Sequence, residues 1–215
     1  MGVEGEDVGS VENAGAVSVL YDFPSGISRT GAQLWHQGRA GVEGDPEEFD
    51  EFGSALAAAD FGLGGTTADL AVGVPNEDHE QPGLDATDAG AVNVLNGSAS
   101  GLSATNNYWE WQDSSGFDGD VESDSERDDY FGSALTAGNF GRGTVADLAV
   151  GVRGESREPL IFEAGKIFHV GAVNVLYGDP RTGLRASDDQ FWWQASDSLH
   201  NSAEEFDLFG DALPG

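Results

Sequence analysis

The chain has 215 residues, of which 39 are Asp or Glu and nine Lys or Arg, for a formal net charge of −30. This balance argues against nucleic acid, whose binding needs a basic face to neutralise phosphate, and against anionic membrane surfaces for the same reason. The lack of Cys excludes disulfides, thiolate metal sites and Cys nucleophiles, and no apolar run approaches the roughly 20 residues that span a bilayer. At 39 % apolar residues, the chain has enough for a folded core. The acidic surface keeps the protein soluble. Lys166 is the single lysine, and such acidic, lysine-poor chains look like proteins of halophiles. Self-repulsion of this size is screened within about 3 Å at 1 M salt, against about 10 Å at 0.1 M.

In chain order, Met1 is followed directly by Gly2-Val3-Glu4, which reads as an internal segment with an initiator Met and no signal peptide. Gly15-Ala16-Val17-Ser18-Val19-Leu20-Tyr21 alternates with period two, predicting a strand with Val17, Val19 and Tyr21 on one face. A twelve-residue block, Gly26 to Gln37, follows as the next strand. Phe52-Gly53-Ser54-Ala55-Leu56, with Asp50 two residues before the Phe, opens a new unit. It continues through Asp69-Leu70-Ala71-Val72-Gly73-Val74, then Gly90-Ala91-Val92-Asn93-Val94-Leu95, then Gly101 to Gln112.

The same four elements return in the same order. They are Phe131-Gly132 with Asp129, then Asp147 to Val152, then Gly171 to Tyr177, then Gly183 to Gln194. Phe209-Gly210, with Asp207, begins the cycle once more. Successive Phe-Gly elements lie 79 and 78 residues apart, a period that suits four strands plus loops. The Leu-Ala-Val runs lack alternation and so predict strands buried on both faces. In the twelve-residue blocks, Leu34 and His36, Trp109 and Trp111, and Phe191 and Trp193 share parity and are expected to pack between neighbouring units. Trp35 and Trp192, with Glu110 between them in the repeat, have the opposite parity and are expected to be more exposed. A sugar-stacking platform is the alternative role for these Trp residues, and inter-unit packing the preferred one.

The paired Phe-Gly and Asp-Leu-Ala-Val-Gly-Val elements, followed by Gly-Ala-Val, resemble FG-GAP repeats, the units of the integrin α-subunit head and of many microbial surface proteins. Gly73-Val74-Pro75 is close to the Gly-Ala-Pro of the family name, whereas Gly151-Val152-Arg153 lacks the Pro. The resemblance covers nearly the whole chain. It implies an all-β fold of four-stranded antiparallel β-propeller blades, about three here, in an incomplete ring. Residues 1–37 are then the third and fourth strands of one blade, 50–112 and 129–194 are blades, and 207–215 is the first strand of a further one. About three blades cannot close a ring. The remaining blades come from a parent chain or from other copies. The parent chain is favoured, because the second-strand sequence is missing at both ends.

The resemblance also implies Ca²⁺ in the loop between the first two strands, where alternate acidic residues converge six to eight oxygens. The candidate ligands are Asp60 and Asp69 in one loop and Asn139 and Asp147 in the other. Between them stand Gly62, Gly64, Gly141 and Gly143, which offer no side-chain oxygen, and Arg142, which adds positive charge. A Gly-rich turn whose Asp residues bond backbone amides is therefore preferred to a Ca²⁺ site. The acidic run from Asp118 to Asp129 reads as a solvated loop. His36, His79, His169 and His200 show no metal-ligand spacing, and no nucleophile-elbow or phosphate-loop motif is present. The expected function is a non-catalytic module, extracellular or at the cell surface, contacting a protein or glycan through loops that include Leu160-Ile161-Phe162. The alternatives are a Ca²⁺-dependent adhesin or lectin, a propeller accessory to a catalytic domain outside this segment, and a structural subunit assembled between chains.

Overall fold

A computed structural model describes residues 1–63, 65–79, 86–112, 125–141, 143–157, 166–196 and 202–214. Among these residues there are eleven strands and no helix, and the strands form three antiparallel sheets. The first sheet joins β1 (Gly2–Val3), β2 (Ala16–Phe23) and β3 (Gly26–Trp35). The second joins β4 (Leu56–Ala59), β5 (Asp69–Val74), β6 (Ala91–Ser98) and β7 (Gly101–Glu110). The third joins β8 (Phe131–Gly138), β9 (Asp147–Val152), β10 (Ala172–Asp179) and β11 (Gly183–Trp192). Each sheet is a meander in chain order, so each repeat of the sequence is one sheet.

The repeat sets the register as well as the strands. Gly73 and Val74 pair with Val92 and Ala91, and Gly151 and Val152 pair with Val173 and Ala172. A bulge interrupts every hairpin of third and fourth strand at the same place: Val19/Tyr21, Val94/Asn96 and Val175/Tyr177. β5 and β9 have a strand on each side, and their side chains are buried on both faces apart from a half-buried Leu70. Their unbroken apolar runs follow from that position.

The sheets pack face to face. The alternating valines of one sheet lie against the apolar face of the next. Val17 and Trp35 cluster with Phe52, Val72, Val74 and Leu95 of the second sheet. Val92 and Val94 cluster with Phe131, Leu148, Val150 and Leu176 of the third.

Three expectations are corrected. Residues 1–37 hold three strands and not two: Gly2 and Val3 pair with Val17 and Ala16, the register that Gly73-Val74 and Gly151-Val152 adopt. The end of a second strand is therefore present. Trp35, expected to be exposed, is 2 % exposed, while Leu34, expected to be packed, is 48 % exposed. The cause is register: Trp35 sits opposite Val17 on the face covered by the second sheet, and Leu34 sits opposite Ser18 on the outer face. Finally, Phe209-Gly210 forms a turn and no strand, although it docks on the third sheet as its counterparts dock on theirs.

That docking is the same at all three junctions. The amides of Phe52, Phe131 and Phe209 donate to the carbonyls of Ala14, Ala89 and Val170 at 2.9, 2.8 and 2.8 Å. The glycines that follow have φ of +99°, +92° and +90°, where a side chain is strained. A Cβ on Gly132 would also stand 2.5 Å from the Ala91 carbonyl oxygen of the preceding sheet. Gly73 and Gly151 are needed in turn, because a Cβ there would strike the carbonyls of Gly132 and Gly210. Gly132→Ala is therefore expected to cost about 3 kcal/mol, from strain and overpacking together. Gly141→Ala, at φ +120° with open space around the added Cβ, incurs strain alone and should cost less. Denaturant unfolding of the two variants checks the order, and the reverse order would refute the close approach as the controlling feature.

Candidate functional site

The four loop residues predicted as metal ligands act first as hydrogen-bond acceptors for backbone. Asp69 Oδ2 accepts the Phe61 amide at 3.0 Å and its Oδ1 the Gly97 amide at 2.8 Å. Asp147 does the same with Phe140 at 2.7 Å and Gly178 at 3.0 Å. Asp60 and Asn139 each accept the amide two residues on, from Gly62 and Gly141, at 3.1 Å. Each loop is thus tied by its closing Asp to the third strand of its own sheet. Burial raises the Asp69 pKa, and the amides of Gly97 and Phe61 pull the other way. The structure brings Asp60 within electrostatic reach of Asp69, but these oxygens are held in turn geometry by amides. As a donor set, they fit a pair of amide clamps better than a Ca²⁺ cage of six to eight oxygens. Gly64 and Arg142 lie outside the described residues, as do residues 118–124 of the acidic run, Leu160-Ile161-Phe162 and His200.

A second polar constellation lies at the sheet junctions, and it occurs twice. Gln37 and Gln112 stand two residues beyond the fourth strands β3 and β7, and Glu77 and Glu155 three residues beyond β5 and β9. Gln37 Nε2 donates to Glu77 Oε2 of the next sheet, and Gln112 Nε2 to Glu155 Oε2 at 2.8 Å. Beside them, Asp50 and Asp129 accept the amides of Glu47 and Glu126, closing the turn that precedes each Phe-Gly. All six side chains are buried. Burial pushes Asp50 up to about 7, with neighbouring carboxylates adding to the rise. Asp129 rises to about 9, from burial and then from the charge of Glu155. Glu77 rises well above the usual range, from burial and then from Asp50. At the second junction Lys166 pairs with the Glu126 carboxylate.

Sequence reasoning noted the Gln and the Asp but not the Glu. The available signal was Gly-Val-x-x-Glu, present at 2–6, 73–77 and 151–155. Each of these glutamates also accepts, through its backbone carbonyl, the amide of the Gly that opens the third strand: Gly15, Gly90 and Gly171.

The aromatic and His residues have packing roles. His79 is buried with a ring nitrogen 2.9 Å from the Gly90 carbonyl, and it stacks on Trp111 with centroids 5.1 Å apart. Trp109 and Trp111, predicted to share a face, lie 4.9 Å apart. Phe191 and Trp193 share the Arg157 guanidinium. His169 stacks on Phe206. Trp35 lies under the Arg39 guanidinium at 3.8 Å, and Trp192 packs with Val173, Val175 and Tyr177. Among the described residues, no three His, Cys, Asp or Glu side chains form a metal-ligating group. No protein-family model matches the chain, and no curated protein matches it.

Asp147→Ala leaves the amides of Phe140 and Gly178 without their acceptor, at an expected cost of about 2–4 kcal/mol. The clamp role requires the same loss in Ca²⁺ and in chelator when thermal or denaturant unfolding is compared. A loss seen only with Ca²⁺ present would assign Asp147 to a metal instead.

Proposed function

We propose that the chain is a segment of an FG-GAP-type β-propeller whose sheets are blades, acting as a non-catalytic recognition module outside the cell or at its surface. The blade reading is supported by one observation above the rest: successive sheets meet through identical backbone contacts, and one face of the first sheet lacks the cover that the same face has elsewhere. Leu20 is 37 % exposed, whereas its repeat counterparts Leu95 and Leu176 are 0 % exposed. Ile27 and Leu34, on the same outer side, are also exposed. This is the face on which a preceding blade packs in the second and third sheets. The recognition role rests on the resemblance and on loops between strands that differ from repeat to repeat. The Ca²⁺-dependent adhesin reading gains little support from loop carboxylates that already hold amides. Assembly of blades between chains draws on the same exposed face of the first sheet.

Light scattering in multimolar KCl tests the docking face. The expected result is concentration-dependent self-association of the wild-type chain that disappears in a folded Leu20→Asp/Leu34→Asp variant, since two charges in an apolar contact are not matched. Identical behaviour of the two proteins, together with equal binding of an apolar dye, would refute the face as a blade-docking surface.

A further inference from the structure

The first and second sheets leave an apolar cavity of about 360 Å³ between them, beside the edge of β2. β1 covers that edge only as far as Ser18, whose amide donates to the Met1 carbonyl at 2.9 Å. We propose that the cavity is a socket for one aromatic side chain, presented by a linear peptide segment of sequence Asx-Phe-Gly. The inference rests on the internal repeat and not on the sheets being blades.

The next junction shows what such a cavity takes. The wall from the second sheet is Leu56, Ala58, Ala68, Leu70 and Leu102. Their repeat counterparts in the third sheet are Leu135, Ala137, Ala146, Leu148 and Leu184, and all of these share one cluster with Phe61. Phe61 lies between β4 and β5 of the second sheet and is 0 % exposed. Beside its ring, Leu148 and Leu184 are 0 % and 3 % exposed. Leu70 and Leu102, at the cavity, remain half-buried. The opposite wall holds Val19 where the cluster around Phe61 holds Val94. The cavity is therefore the Phe61 position of the first junction, with the same Leu and Ala wall. An apolar cavity of about 150 Å³ already takes a benzene-sized molecule, so a phenyl ring fits.

The backbone around Phe61 defines the rest of the ligand. The Asp60 carbonyl accepts the Ala146 amide at 2.8 Å, and Gly62 bridges Asp179. A Cβ on Gly62 would stand 2.0 Å from the Asp179 carbonyl oxygen, so the residue after the ring must be Gly. Ala68 and Ser98 hold the matching places at the cavity. Ala68 precedes Asp69 as Ala146 precedes Asp147, and Ser98 ends β6 as Asp179 ends β10. A full second strand of the repeat does not suit the site. At the places of Gly97 and Gly178, a Cβ would strike the carbonyls of Ala68 and Ala146, and the first sheet has Asp22 there. A short segment that ends in the socket avoids that contact. This is peptide addition at a sheet edge, in which a pocket supplies the specificity. Asn suits the first position better than Asp, because Asp69 borders the cavity and the chain carries a net charge of −30.

The test uses the whole chain in KCl buffer and a fluorescein-labelled Gly-Asn-Phe-Gly peptide, followed by anisotropy. The expected result is saturable binding of one peptide per chain. Replacing the peptide's Phe by Ala should weaken binding at least about tenfold, the burial of one aromatic side chain being lost. Replacing the Gly after it by Ala should weaken it as much, through the carbonyl contact. Ala58 is exposed at the cavity, so Ala58→Phe fills the socket from within the chain and should abolish binding. If that variant does not fold by circular dichroism, Ala68→Leu takes its place with the same expected loss. No saturable binding by the wild-type chain overturns the proposal, and so does binding that the filled variant leaves intact. Equal affinity for the peptide with Ala after Phe, or for N-acetylphenylalanine amide, also overturns it, because an unspecific apolar cavity does not read the Gly. Self-association that Ala58→Phe removes, without peptide binding, assigns the socket to a second copy instead.

Discussion

The close approach of backbone to backbone between successive sheets is the constraint on which the rest of this structure depends. At each junction a Phe amide reaches a carbonyl of the preceding sheet's loop, at 2.8–2.9 Å. Main chains come this close only where a side chain is missing, so glycine is required at the contact: Gly132 against the Ala91 carbonyl, and Gly73 against the Gly132 carbonyl. The recurring motif is for this reason written in Gly, Ala and Val, with one large residue, the Phe, filling the space beside the contact. Once the backbones are locked, the faces follow. The valines of one sheet must meet the Leu and Trp side of the next, because the period of two leaves no other face to turn toward it.

The same approach carries polar groups into the interior. Asn93 and Asn174 lie mid-strand at 0 % exposure; their Nδ2 groups donate, Asn93 to the Glu43 carbonyl and Asn174 to Asp189, while the Oδ1 of each accepts no hydrogen bond. Asp50 and Asp129 shape the turns that present the Phe amides, so a buried carboxylate is built into the device that joins the sheets. The surface charge of the molecule and these interior charges obey different rules. Salt screens the former within a Debye length, while the latter are shielded from it. A net charge of −30 therefore says little about whether the junctions are neutral; burial there favours the protonated carboxyl.

Much of the fold was legible because two signals agree in it. The unbroken runs at 69–74 and 147–152 are the strands β5 and β9 to the residue, and the glycines at 26, 101 and 183 are the first residues of β3, β7 and β11. What escaped was context. Parity tells that Leu34 and Trp35 lie on opposite faces, but not which of the two faces has a neighbour. Gly2-Val3 is too short to read as a strand, and its pairing is visible only once Gly73-Val74 and Gly151-Val152 show what that dipeptide does. The loop Asp residues were legible as oxygen donors. Their partners were not, since the amides of Gly97 and Gly178 lie 28 and 31 residues from the carboxylates they meet. The junction glutamates were hidden by the same distance, 40 and 43 residues from their Gln partners.

A sheet with two unlike faces, each made to fit the other, also sets how such units can associate. Within the chain, the valine face of one sheet takes the opposite face of the next, twice, and the contact is heterologous: donor and acceptor surfaces differ. Heterologous contacts repeat until the rotation closes a ring, or continue without limit if it does not. Gln194, with a buried Oε1 that accepts no hydrogen bond, lies on the third sheet where Gln37 and Gln112 reach across on the others, and Glu6 lies where Glu77 and Glu155 receive them. The polar half of the junction is therefore present at both outer sheets, in complementary form, alongside the uncovered apolar face at Leu20, Ile27 and Leu34. Apolar burial would favour contact of almost any kind at that face, whereas the Gln-to-Glu bond and the Phe amide admit only one register. If the sheets are blades, as proposed, the unit that fits there is another repeat of this same design.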